Sequence, residues 1–155
     1  MTSSRPHILI VEDDLDLAEC IRYNLERTGL FTSQIVESAE DAISLVFKPS
    51  SSCRDKLYKD KGKECAVQNV ALIIVDLNIP GVNVVELCNR FRREERTPLI
   101  PFIVLTTNTE EVAKVKSLEA GADYYLTKPF SIRELVVRAH QILRRREQEL
   151  LSQFH

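Results

Sequence analysis

The chain has 155 residues, 44% hydrophobic and 28% charged, with a formal net charge of -2. That is enough for one domain with a buried core, and the weak negative charge argues against a general nucleic-acid binder. No apolar run approaches the roughly 18 residues of a membrane span. The opening residues lack the apolar core of a secretory signal, and the four cysteines, Cys20, Cys53, Cys65 and Cys88, show no CxxC spacing, so reduced thiols and a cytoplasmic location are expected.

Strand and helix alternate along the chain. The first strand is expected at about 7–12, followed by a helix at about 14–28 with Leu17, Ala18, Ile21 and Leu25 on one face. Asp14 reads as the acid that caps this helix, and Thr28-Gly29 ends it. A polar second strand, about 31–36, suits a sheet edge. Ser38 caps a second helix running to about 47, with Glu40 and Asp41 in its first turn. Residues 48–69 form a long polar connection, and its stretch 48–64 holds six basic and three acidic residues. Such a connection reads as a solvated insertion, or more pointedly as a docking surface for an acidic partner. The third strand, about 70–76, is the most apolar run in the chain. A third helix is expected at 82–95, a fourth strand at 101–106, a fourth helix at 109–120, a fifth strand at 123–127 and a fifth helix after Ser131. Strands separated by single helices imply right-handed crossovers and a parallel sheet.

Two acidic groups end apolar strands. Glu12-Asp13-Asp14 follows Ile8-Leu9-Ile10-Val11, and Asp76 follows Ala71-Leu72-Ile73-Ile74-Val75, with Asn78-Ile79-Pro80-Gly81 turning the chain directly after it. Carboxyl ends of parallel strands are where open α/β sheets place their chemistry. Carboxylates gathered there need a proton or a cation, and bare carboxylate oxygens suit Mg²⁺, which binds through few protein ligands.

With Leu105-Thr106, Tyr125 and Leu126-Thr127-Lys128-Pro129-Phe130 added in this order, the chain resembles a bacterial response-regulator receiver domain over about residues 5–147. The resemblance implies a doubly wound, flavodoxin-like sheet with strand order 2-1-3-4-5. It implies a phosphorylation-activated switch of a two-component system, rather than an enzyme acting on other substrates. Asp76 would accept a phosphoryl group from a histidine kinase or phosphotransfer protein in a Mg²⁺-dependent reaction. Asp13, Asp76 and the backbone carbonyl of Asn78 would hold Mg²⁺, with Glu12 acting through water. Lys128 and Thr106 would engage the phosphoryl group, and Thr106 and Tyr125 would carry the switch. Asn78, Thr107 and Asn108 would modulate the lifetime of the phosphorylated state.

The match departs from the family pattern at Val84, where a glycine is usual, and at Thr107, where a small residue is usual. A bulkier Thr107 and two neutral amides, Asn78 and Asn108, are expected to slow hydrolysis. A free-standing phosphohydrolase using the same aspartyl chemistry is the rival reading; Asp-x-Asp-x-Thr after a first strand would favour it, whereas here the nucleophile is on the third strand and Asn78 stands where the second Asp would be. Residues 148–155 read as a helical extension or linker toward an output domain, with the receiver spanning 1–147. A homodimer through the fourth helix, fifth strand and fifth helix is expected, because a helix carrying Glu110, Glu111, Lys114 and Glu119 would face one carrying Arg133, Arg138 and Arg144. No membrane contact and no direct nucleic-acid binding by this domain are expected.

Overall fold

The computed structural model describes residues 5–47, 70–79, 86–87, 89–90, 100–107 and 123–152. The long connection 48–69, the expected fourth helix, Val84 and Asn108 lie outside the described residues.

Apolar runs become strands because β-branched side chains fit a pleated, doubly buried surface. Five strands, β1 (His7–Val11), β2 (Thr32–Val36), β3 (Val70–Asp76), β4 (Phe102–Thr106) and β5 (Tyr124–Thr127), form one all-parallel sheet. Its order is β2-β1-β3-β4-β5, as the resemblance implied. The polar β2 sits at one edge, where a half-solvated strand is tolerated.

Alternation along the strands splits the core into two layers. Leu9, Val11, Ile73, Val75 and Val104 face one side, against Ala42 and Val46 of α2 (Ala39–Phe47) and Leu87. Ile8, Ile10, Leu72, Ile74, Ile103 and Leu105 face the other, against α1 (Leu15–Glu26) and Leu135, Ala139 and Ile142 of the C-terminal helix (Ile132–Ser152). Residues 86, 87, 89 and 90 are helical, inside the span expected for the third helix.

The C-terminal helix runs unbroken to Ser152, and among the described residues its packed stretch ends at Leu143. Its last turns, rich in Arg, Glu, Gln and Leu, contain no Gly or Pro to stop them. Tyr124 fastens the helix to β5. Its hydroxyl donates to Glu134 Oε2 at 3.1 Å, and the Arg138 guanidinium lies 4.5 Å over its ring. Among the described residues no helix is long and apolar enough to cross a membrane.

Asp14 caps α1 with extended backbone, φ -85° and ψ 101°. Its Oδ1 accepts from the Asp16 and Leu17 amides at 3.1 and 3.3 Å. Asp14→Ala should therefore cost about 1 kcal/mol and lower the melting temperature by about 3 °C. Its response to Mg²⁺ should stay that of the wild type. A thermal melt with and without Mg²⁺ checks this, and loss of the metal response would place Asp14 in the acid pair instead of the cap.

Candidate functional site

The sheet brings four of the sequence-selected side chains to one end. β1 and β3 pair with Val11 opposite Val75, so continuing the register sets Glu12 level with Asp76. β3 and β4 pair with Asp76 opposite Leu105, which sets Thr106 one step beyond. β4 and β5 pair through Thr106 and Thr127, and Lys128 follows. The strand ends are laced by main-chain bonds: Glu12 N to Val36 O at 3.0 Å, Leu77 N to Leu105 O at 2.7 Å, and Lys128 N to Thr106 O at 2.6 Å.

Glu12, Asp76 and Thr106 are the buried polar or charged residues among those described, with exposures of 1%, 2% and 0%. Burying a carboxylate is costly unless its oxygens are satisfied. Asp76 is well satisfied: Oδ1 accepts from the Asn78 amide at 2.8 Å, and Oδ2 from Lys128 Nζ at 2.6 Å. Glu12 is satisfied only in part. Its Oε2 accepts from the Asp14 amide at 3.2 Å. Its Oε1 has no hydrogen-bond partner and lies 3.9 Å from Lys128 Nζ.

That imbalance sets the protonation of the pair. The Glu12 carboxyl is pushed up from 4.5 to about 8, chiefly by burial, then by hydrogen bonding to and repulsion from Asp76. The Asp14 amide and the Lys128 charge pull it the other way. Two carboxylates can share a hydrogen bond only if one keeps its proton. Burial beside Asp76 thus favours the protonated form of Glu12 in the metal-free chain.

A cation can take the place of that proton. The donors on offer are carboxylate and carbonyl oxygens, the hard ligands that Mg²⁺ prefers, and the orphaned Glu12 Oε1 is a buried acceptor awaiting a positive partner or a bound water. Asp13 is exposed beside them. Among the described residues no group of three or more His, Cys, Asp or Glu side chains forms a ready-made metal cage. This set of oxygens fits an ion that keeps most of its waters and uses few protein ligands.

The remaining sequence-selected residues are spread around this centre. Tyr125 is half-buried on β5 and packs against the layer containing Val75 and Val104. Thr107 is exposed just past β4, and its amide donates to Asn78 Oδ1 at 3.0 Å. Sequence reasoning picked out Asn78 and Thr107 separately and missed their bond. The two are 29 positions apart, and no local pattern links them.

A family model described as "Response regulator receiver domain" matches residues 58–140. The chain belongs to the response regulator receiver domain family. This receiver is 37% identical over 147 residues to the phosphate regulon transcriptional regulatory protein PhoB of Rhizobium meliloti (strain 1021), covering 95% of this chain and 56% of that protein. It is 35% identical over 141 residues to the DNA-binding dual master transcriptional regulator RpaA of Synechocystis sp. (strain ATCC 27184 / PCC 6803 / Kazusa), covering 90% and 50%. It thus spans about half the length of these curated relatives. A sensor protein from Polaromonas sp. JS666 superimposes with a TM-score of 0.69 at 28% identity, covering 92% of this chain and 98% of that one. The CheY-like receiver from Methanospirillum hungatei JF-1 shares the fold, with a TM-score of 0.72 at 24% identity and coverage of 94% and 99%. Receivers of two-component systems are switches thrown by phosphorylation, and this chain is one of them.

Proposed function

We propose that Asp76 is the phosphoacceptor of this receiver, loaded by a histidine kinase or phosphotransfer protein. The observation that carries the reading is a buried carboxylate at a strand end, held from one side by the Asn78 amide and from the other by Lys128. An Asp76 oxygen would form a bond to phosphorus while the bond from phosphorus to the donor imidazole nitrogen breaks, releasing the histidine. Lys128 would shift from the carboxylate to a phosphoryl oxygen, a compact cation meeting a compact anion. Thr106 would offer its hydroxyl to another oxygen, and Tyr125 would turn toward the space that Thr106 vacates. Asp13, Asp76 and the Asn78 carbonyl would hold Mg²⁺, with Glu12 reaching it through water. The ion supplies charge neutralisation for the transfer.

The chain acts in this reading as a signalling domain that catalyses only its own phosphorylation and dephosphorylation, in the cytoplasm. Residues 148–155 would serve as a linker, the C-terminal helix reaching Ser152, and an output domain of the kind named for the relatives would follow. Intact mass after incubation with acetyl phosphate and Mg²⁺ tests the core of the proposal. One added phosphoryl group, mapped to the peptide holding Asp76, is the expected result; no mass gain, or a label elsewhere, overturns it.

The switched state would pair through the face formed by the fourth helix, β5 and the C-terminal helix. Arg133 and Arg144 are exposed there, while Arg138 is engaged with Tyr124 and with Gln141 at 3.2 Å. Rim charges of this kind orient partners more than they bind them. Beryllofluoride with Mg²⁺ should therefore promote a salt-sensitive homodimer in sedimentation. A monomer with and without it, at high protein concentration, would point to a different partner.

A further inference from the structure

We infer that Glu26 closes the open edge of the sheet: its carboxylate, reaching over from α1, occupies an outward main-chain donor of β2 and keeps that strand from pairing with β2 of a second copy of this chain. The inference concerns a part of the sheet away from the acidic centre and holds whichever residue accepts the phosphoryl group.

The sheet ends at β2. In a parallel ladder successive residues turn their main-chain groups to alternate sides. Thr32 N donates to Pro6 O, and Val36 O accepts from Glu12 N, both at 3.0 Å, so Thr32, Gln34 and Val36 face β1. Ser33 and Ile35 therefore point their amides and carbonyls away from it, at the open edge. Such an edge is a template for another strand. This one is also self-complementary. Two copies of β2 set antiparallel about Gln34 would bring Ser33 of each opposite Ile35 of the other, and each such pair exchanges two hydrogen bonds.

Glu26 stands on that edge. It is the last residue of α1; the chain then turns through Gly29, at φ 76°, and returns as β2. Ser33 shares a face with Ile35, which packs in the layer of α1, so the end of the helix meets the Ser33 side chain. Glu26 Oε2 accepts from Ser33 N at 3.0 Å and from Ser33 Oγ at 2.8 Å. Its Oε1 accepts from Arg22 at 3.4 Å, and Arg22 is held in turn by Glu19 at 2.8 Å. One of the two outward donors is thus taken by a charge-assisted bond, about twice as strong as a neutral one. An incoming strand would have to displace a carboxylate anchored by a second ion pair, and it would bring a carbonyl oxygen toward that negative charge. Charged side chains turned onto an edge strand are a known means of keeping it unpaired.

The experiment uses the whole chain, unphosphorylated and without beryllofluoride, as wild type, Glu26→Ala, and Glu26→Ala combined with Ser33→Pro. Amide exchange at Ser33 and Ile35 is followed by NMR at low and high protein concentration, with sedimentation of the same samples. At low concentration Glu26→Ala should exchange Ser33 about 10- to 100-fold faster than wild type, the worth of one hydrogen bond to a charged group. At high concentration it should form a dimer, and exchange at Ser33 and Ile35 should slow as the edges pair. Wild type should stay monomeric throughout. Ser33→Pro removes the outward donor, a change that an edge strand admits, and should return Glu26→Ala to a monomer. Unchanged exchange in Glu26→Ala means that the bond is not made and overturns the inference. Faster exchange in a variant that stays monomeric overturns it too, reducing the contact to a tie between α1 and β2. So does association that leaves Ser33 and Ile35 unprotected or that survives Ser33→Pro, and so does a wild type already paired through this edge. Glu26→Gln gives the same test where Glu26→Ala does not fold. Its weaker, neutral acceptor should speed exchange at Ser33 and raise association above that of wild type, and no change in either overturns the inference.

Discussion

Asp76→Asn should abolish phosphoryl uptake from acetyl phosphate while leaving the receiver folded and more stable. A carboxamide has the shape of a carboxylate but is a poor nucleophile, so the mass gain expected of wild type should fall below detection. The fold survives because the neighbours can be satisfied again. The Asn oxygen can still accept from the Asn78 amide, which now sits 2.8 Å from Oδ1. The Asn amino group can donate to the orphaned Glu12 Oε1. Lys128, about one-fifth exposed, loses its 2.6 Å partner and can turn toward water. Full phosphate incorporation on Asp76→Asn, read by intact mass, would move the acceptor elsewhere.

The metal-free receiver should lose stability as pH rises, and Glu12→Gln should remove that loss. The Glu12 carboxyl is raised in the folded chain from 4.5 to about 8. Below about 4.5 both folded and unfolded forms hold the proton, and the group adds no pH dependence. Between about 4.5 and about 8 the folded form binds a proton that the unfolded form has released, so stability falls as pH rises through this window. At about 1.4 kcal/mol per unit, even half of the shift is worth about 2 kcal/mol, or roughly 5 °C in melting temperature. Glu12→Gln keeps the shape and never ionises. In EDTA it should melt roughly 5 °C above wild type at pH 8 and close to wild type at pH 5. Mg²⁺ should close the gap at pH 8 by stabilising the wild type in proportion to its occupancy. Parallel melting curves for the two proteins at all pH values, or a wild type indifferent to millimolar Mg²⁺, would remove the charge conflict from the account of the site.

Much of this was legible because the sheet is built from strands whose hydrophobic runs are short and sharply ended. Ala71 to Val75, short, apolar and bounded by Pro-Gly, reads as a buried strand, and Asp76 at its end is conspicuous as a charge where no charge is comfortable. The polar β2 announced itself as an edge. Asp14 was read as a cap, and its oxygen binds two amides of the first turn. What stayed hidden depends on register and depth. That Glu12 stands level with Asp76 follows from how β1 pairs with β3, and the proton it holds follows from burial at that depth. The bond from Thr107 to Asn78 joins two loops that meet only once the strands are aligned. The reach of the C-terminal helix was also open: among the described residues its packed face ends near Leu143, and further turns follow.

Those turns give the receiver mechanical advantage. A helix of 21 residues is a rod about 30 Å long at about 1.5 Å per residue. Its base is bolted to β5 by Tyr124, one residue before Tyr125 and four before Lys128. A tilt of about 10° at that base, the size of a small repacking around one aromatic ring, sweeps the far end through about 5 Å on a rod of this rise. A small shift reaching that base would thereby be enlarged toward the far end of the helix.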